Sequence, residues 1–387
     1  MMIKRLGDIA SFQRGLTYSK GDETPLSSKC VLRSNNIDLY SSSLDLTEIK
    51  YLREDFVIPE DKKLKANSIF ICMSNGSKQH VGKVAFIDKD MDYAFGGFMG
   101  LVVPSPEVSA KYVFYACQSS AYRSFLSQVG NGIGITNLRF SDLGKFEIPV
   151  PSLSDQLRIV AELDLLSGII VKKNAQLKTL DQHAQAIYYE MFSDITERTH
   201  LSSYITELSG GKSLAGDEES PNKVLKTGAV TYDCFRGDEV KNLPIDYNPR
   251  EEDRVKKGDL LISRMNTAEL VGAAAYVWDV KPNIYLPDRL WRAKLTESSN
   301  PIFIWKALIQ CEAKQQIRAL ASGTSGTMKN ISKPKLLSVE VPLVPLVQQD
   351  AFAKKLMILE KEREAISASN KLAEDLFASR MDKYFSV

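Results

Sequence analysis

Ile148-Pro149-Val150-Pro151-Ser152-Leu153-Ser154-Asp155-Gln156 returns later in the chain as Val341-Pro342-Leu343-Val344-Pro345-Leu346-Val347-Gln348-Gln349. The spacing (341 − 148 = 193) is half of the 387 residues. Two further pairs keep it: Val31-Leu32-Arg33 with Val224-Leu225-Lys226, and Asn137-Leu138 with Asn330-Ile331. In between, the offset slips to 191 for Asn75 and Asn266 and to 190 for Val81-Gly82 and Val271-Gly272, as small loop insertions require. Colinear self-similarity over the whole length means two tandem copies of one module.

Each copy runs in the same order. Short β-type segments come first, Ser68–Cys72 then Lys83–Ile87 in one copy and Asp259–Ser263 then Ala275–Trp278 in the other. A helical stretch follows, about Val108 to Gln128 and about Ile302 to Ala321, ending in a Gly/Ser/Thr/Asn loop. This mixture predicts an α/β or α+β globular domain. After the Pro-flanked junction, residues 153–191 hold no proline, and Leu163, Ile170, Leu177, Ala184 and Met191 recur every seven, interleaved with Ile159, Leu166, Leu180 and Ile187. That is a heptad seam. The last stretch carries the same phase, with Leu356 and Phe377 on one line and Phe352, Leu359, Ile366 and Ala373 on the other. Arg363, Asn370 and Lys173 are polar residues on these seams, of the kind that fix register. Ser152 with Asp155, and Pro345 with Asp350, suit the two helix starts.

A ~40-residue helix is roughly 60 Å long, beyond the width of one domain. Two seams in one chain bury each other most simply, and the duplication predicts an antiparallel pair with pseudo-two-fold symmetry. The alternative is that each helix packs on its own domain. The expected division is globular domains over 1–151 and 196–344, with helical regions over 152–195 and 345–387.

Composition excludes several classes. The beginning, MMIKRLGDIASFQRG, lacks the apolar core of a secretory signal, and no apolar run approaches the ~18 residues of a membrane span. Five scattered cysteines without a C-x-x-C pair suit a reducing compartment, so the expected location is the cytoplasm. A net charge of +2 excludes a uniformly basic nucleic-acid binder. DNA contact therefore requires local clustering of the basic residues, or a partner that supplies phosphate contacts.

Catalytic signatures are incomplete. Gly211-Lys212-Ser213 resembles the tail of a phosphate-binding loop, but Thr206 stands where its first glycine belongs. Gly130-Asn131-Gly132-Ile133-Gly134 follows a helix where a dinucleotide fingerprint needs a strand. The histidines at 80, 183 and 200 lack metal-ligand spacing.

Polar loops at equivalent places in the two copies are the better candidates. One set is residues 73–80, with Ser74, Asn75, Lys78 and Gln79, matched by residues 263–269, with Arg264 and Asn266. Side chains of these types read base edges in the major groove. The other set holds Asn131, Asn137 and Arg139, matched by Ser325, Thr327, Lys329 and Asn330. Glycine-exposed amides, hydroxyls and lysine suit phosphate oxygens. Arg33, Lys226 and Arg289 complete the candidate DNA contacts, and the seam residues are the candidate coiled-coil and partner-binding positions.

The chain resembles the specificity subunits of type I restriction-modification enzymes over nearly its whole length. The resemblance is carried by residues 323–332, by the strand-loop-strand from Ile69 to Ile87 with Val81-Gly82-Lys83-Val84-Ala85, and by the junction ending at Gln156. It implies a non-catalytic subunit whose two target-recognition domains each read half of a bipartite, asymmetric site in double-stranded DNA. It also implies two adenine-N6 methyltransferase subunits docked on the helices, with restriction subunits added. No cofactor is expected on this chain; S-adenosylmethionine, ATP and magnesium belong to the partners. A coiled-coil scaffold that binds proteins and no nucleic acid is the competing reading.

Overall fold

The computed structural model describes residues 2–129, 136–323 and 328–386. The chain forms two compact units, Met1–Gln176 with Ile366–Val387, and Leu177–Ala365. Two 40-residue helices, Leu153–Phe192 and Leu346–Phe385, contribute to both.

In the first unit, four antiparallel strands lie in the order Ala10–Arg14, Met99–Pro104, Ser68–Cys72, Val84–Ile87. The Ser68–Cys72 strand is buried along its whole length, so its continuous apolar run reflects cover on both faces. A second sheet orders Glu23–Thr24, Lys50–Leu52, Lys29–Leu32, Met91–Phe95 and Lys63–Leu64, with a parallel pair between Lys29–Leu32 and Met91–Phe95. In the second unit the four-stranded sheet has the same order: Ile205–Ser209, Leu290–Leu295, Leu260–Ser263, Ala274–Tyr276. Its companion sheet is shorter, with Val240–Asn242, Lys223–Leu225 and Ile284–Tyr285, and the parallel pair is again present. The duplicated sequence is thus a duplicated topology, as the repeat predicts.

The helical stretch expected in each copy is broken in two: Ala110–Ala116 and Ser120–Val129, then Pro301–Leu308 and Cys311–Leu320. In the first copy the buried Ser119 stands at the break. Its hydroxyl donates to the Ala116 carbonyl at 2.7 Å and accepts from Tyr122 N–H at 3.1 Å, ending one helix and opening the next. Gly82 and Gly272 turn the chain between equivalent strands with φ of +80° and +76°. A Cβ at either would also strike the following helix, at Leu126 or Ile317.

Each domain is closed by pairing its first strand with its last, Met2–Arg5 with Glu147–Val150 and Arg198–His200 with Glu340–Pro342. The long helices start immediately beyond. The side chain of Gln156 is buried, donating to the Pro151 carbonyl at 2.9 Å and accepting from Ser109 N–H at 2.9 Å. Gln349, at the repeat offset, donates to the Val344 carbonyl at 2.8 Å and accepts from Asn300 N–H at 2.8 Å. One carboxamide therefore clamps the helix start to its domain in both copies.

Within each unit the helix segments are antiparallel and pack on the domain as well as on each other. In the first unit, Ile159, Leu163 and Leu166 are buried together with Ala373, Met381 and Phe385, and Phe385 reaches Tyr112 at 5.0 Å between ring centroids. In the second, Leu180, Ile187 and Phe192 are buried with Phe352 and Leu356; Phe192 meets Phe303 at 5.1 Å. Both sequence-level alternatives for the seam therefore apply at once. Ile170, Leu177, Leu359, Ile366 and Phe377 are half-buried. Two of the polar seam residues find partners across the helix pair: Asn370 donates to Asn174 at 3.1 Å, and Arg363 pairs with Asp181.

Replacing Gln349 by leucine keeps the volume but strands the Asn300 N–H and Val344 carbonyl. The expected loss is about 1–3 kcal/mol, read as a lower urea midpoint for unfolding of the second unit.

Candidate nucleic-acid interface

The two polar loop sets of each copy are tied together by the backbone. In the first copy, Leu138 N–H donates to the Met73 carbonyl at 2.7 Å, Asn75 N–H to the Thr136 carbonyl at 3.2 Å, and Ser74 bridges Asn137. In the second, Ile331 N–H donates to the Arg264 carbonyl at 3.0 Å, and Met265–Asn266 pairs with Lys329–Asn330. The loops are separated by some sixty residues of sequence in each copy, yet the same ladder joins them.

The residue before the second strand in the order of each four-stranded sheet, Met99–Pro104 or Leu290–Leu295, joins this ladder from the other side. The Phe98 carbonyl accepts from Met73 and Ser74 N–H at 2.9 and 3.1 Å, and the Arg289 carbonyl accepts from Arg264 N–H at 3.1 Å.

In the first copy the loops border a cleft of about 820 Å³. Arg33, Ser74 and Asn75 line it with Tyr18, Lys20 and Phe98. Arg33, Ser74 and Asn75 are expected from the sequence and the other three are not; Gly96 and Gly97 also line the cleft and add no side chain to it. Arg33 is half-buried and its Nε is buried without a hydrogen-bond partner. Asn75 is oriented by its amide donating to the Ser34 hydroxyl at 2.8 Å and its oxygen accepting from Ser77 N–H at 2.8 Å. Lys78, Gln79, Asn137 and Arg139 are exposed. Asn131 lies outside the described residues.

In the second copy Lys226 and Arg289 are exposed, and Arg264, Asn266, Lys329 and Asn330 are half-buried. The Arg264 guanidinium lies 5.8 Å from the Trp291 ring centroid, so part of its role is packing. Lys329 donates to the Gly323 carbonyl at 3.0 Å, and Asn330 exchanges backbone hydrogen bonds with Ser322 at 2.8 Å. These contacts shape the loop from within. Ser325 and Thr327 lie outside the described residues. Ser213, of the phosphate-loop-like Gly211-Lys212-Ser213, has its hydroxyl on the Asp288 carboxylate. A Cβ on Gly211 would sit 2.0 Å from the Leu286 carbonyl oxygen, so that glycine is explained by close packing.

Sequence reasoning missed Phe98, whose ring is 73% exposed beside Asn75 and the cleft. The available signal was its offset of 191 from Arg289, the same as that between Asn75 and Asn266.

Among the described residues no cluster of metal-ligating side chains occurs, and no helix is long and apolar enough to cross a membrane. All five cysteines are free.

Residues 1–179 match the family described as the type I restriction modification DNA specificity domain. The EcoKI specificity subunit of Escherichia coli K12 is 25% identical over 95% of this chain and 83% of its own length. The StySPI specificity subunit of Salmonella potsdam is 31% identical over 44% of this chain and 35% of its own length. Among solved structures, the type I S subunit from M. genitalium covers 100% of this chain and 96% of that one, with a TM-score of 0.60 at 15% identity, a likeness of fold. Over these spans the chain is similar to specificity subunits of type I restriction-modification enzymes.

His80, at the end of the first loop set, has its Nδ1 buried without a hydrogen-bond partner, and burial followed by the neighbouring Lys83 charge lowers its pKa below 6.5. Unfolding restores the ordinary value, so the unfolded chain binds more protons between the two values. Stability at this loop is therefore full above about pH 6.5 and falls as pH drops through that value toward the folded pKa. NMR titration of the imidazole should give a midpoint under 6.5, and His80→Gln should reduce the difference in urea midpoint between about pH 7.5 and about pH 5.5.

Proposed function

We propose that this chain is the DNA-reading subunit of a type I restriction-modification complex, each globular domain taking one half of a bipartite, asymmetric double-stranded site. The observation that carries the reading is the paired-loop ladder. Its backbone is the same in both copies, through Met73–Leu138 and Arg264–Ile331, while the side chains it presents differ. Equal scaffolds with unequal loops suit a reader of two unequal half-sites. The base-edge discriminators would be Asn75, Gln79, Asn266 and Arg289. Lys78, Arg139, Lys226 and Lys329 would take phosphates, which position a protein on the duplex without specifying sequence.

The helices supply spacing and docking. Each begins at one domain and continues into the unit built on the other, so helix length would set the number of unread base pairs. Two methyltransferase subunits would dock on their outer faces. Leu165 and Ile358 support this: they are 66% and 60% exposed and stand at the repeat offset of 193, one on each helix. Duplicated apolar contacts suit two copies of one partner. S-adenosylmethionine would be held by those subunits, and ATP and magnesium by restriction subunits added to the same core.

Mapping methylated adenines made by this chain with its methyltransferase tests the reading. A bipartite motif is expected, and exchange of residues 196–344 for those of a relative should change one half of it. Absence of motif-specific methylation overturns it. Leu165→Asp or Ile358→Asp alone should leave one methyltransferase per chain by native mass spectrometry, and the double variant none.

A further inference from the structure

We infer that Phe98 and Arg289 are equivalent specificity positions, Phe98 packing on a thymine 5-methyl group in one half-site and Arg289 taking guanine O6 and N7 in the other. This rests on the DNA-reading function proposed above and assigns its chemistry to two side chains. Their equivalence is one of hydrogen bonding. Each directly precedes the strand that lies second in its four-stranded sheet, Met99–Pro104 or Leu290–Leu295. Each gives its carbonyl to the same partner at the repeat offset, Met73 N–H at 2.9 Å or Arg264 N–H at 3.1 Å. The backbone is therefore held rigidly beside the paired loops while both side chains point outward and are exposed.

The chemistry differs between the copies. Phe98 puts an apolar ring in water at 73% exposure, flanked by Gly97, which adds no side chain to obstruct approach. Among base-pair features in the major groove only the thymine methyl offers apolar surface to such a ring. Arg289 has no hydrogen bond or ion pair from its guanidinium among the described residues, and the adjacent Asp288 carboxylate is already engaged by Ser213. Neighbouring arginines are committed to the fold. Arg264 lies over Trp291, and Arg292 is bonded to Asp259 at 2.9 Å and to the Glu252 carbonyl at 2.7 Å. A free, planar fork on a fixed backbone matches the paired acceptors of guanine.

The test uses the complex of this chain with its methyltransferase and duplexes carrying the mapped motif. Thymines are replaced singly by deoxyuridine, which lacks the methyl, and guanines by 7-deazaguanine, which lacks the N7 acceptor. The wild type should lose affinity several-fold at one deoxyuridine position in the first domain's half-site. Phe98→Ala should bind more weakly and show no further loss at that position. One 7-deazaguanine in the other half-site should weaken the wild type and leave Arg289→Ala indifferent. Arg289→Ala should relax methylation at that base pair by about 5- to 150-fold, the discrimination of one bidentate contact. If the wild type is insensitive to every analogue, or if the variants keep the same penalties, the assignment falls while DNA reading stands. Equal weakening of both half-sites by either variant makes the position structural and also overturns it. Absence of motif-specific methylation by the wild type overturns the DNA-reading function itself.

Discussion

A single buried carboxamide, Gln156 in one copy and Gln349 in the other, joins the three parts on which the architecture depends. It bonds the proline-flanked exit strand, the first turn of the long helix, and the residue that opens the domain's own helical segment, Ser109 or Asn300. Fixing the helix start fixes the direction in which forty residues leave the domain. The next turns inherit this direction, including the burial of Ile159 and Leu163 in one unit and of Phe352 and Leu356 in the other. A buried amide with all partners satisfied costs little, while an apolar substitute strands backbone groups. That asymmetry explains why a polar side chain sits at the most buried part of the junction.

Stability and register along the helices have different sources. At their ends, large side chains such as Phe352 and Leu163 bury against both the domain and the opposite helix. Toward the middle the side chains are smaller or polar, and most positions from Val171 to Thr179 are open to solvent. There the specific contacts are Asn370 with Asn174 and Arg363 with Asp181. Apolar ends supply the free energy, and polar contacts penalise a slipped pairing, since a shift would leave Asn370 buried without its partner.

The features legible in the sequence were those written in local periodicity or in repetition. The seven-residue rhythm from Ile159 to Met191 and the junction motif needed no long-range information. The companion sheet was not legible, because its strands run two to five residues and one central member, Lys29–Leu32, was visible only as a repeat anchor. Breaks in the helical stretches were hidden because Ser119 and Gln310 do not disturb composition. The cleft gathers Tyr18, Arg33, Asn75 and Phe98 from separate loops, with Gly96 and Gly97 between them adding no side chains. No local pattern encodes that. Asn131, Ser325 and Thr327 remain expectations from composition alone.

The near-neutral charge constrains how recognition is divided. Phosphate contacts supply the salt-dependent, sequence-independent part of affinity, in proportion to the number of charges neutralised. Much of this chain's basic content is spent internally, as in Arg292 with Asp259, Lys314 with Asp233 and Lys111 with Asp164. A chain so balanced is poorly equipped to hold DNA by charge, but base-edge contacts need only a few well-placed groups, and those discriminate by free-energy differences that do not depend on net charge. In the proposed function, discrimination would rest with this chain and most of the phosphate contacts with the partners docked on its helices. Such a division would let each domain's loops change in sequence at a modest cost in affinity, because most of the groups that hold the duplex would not be the groups that read it.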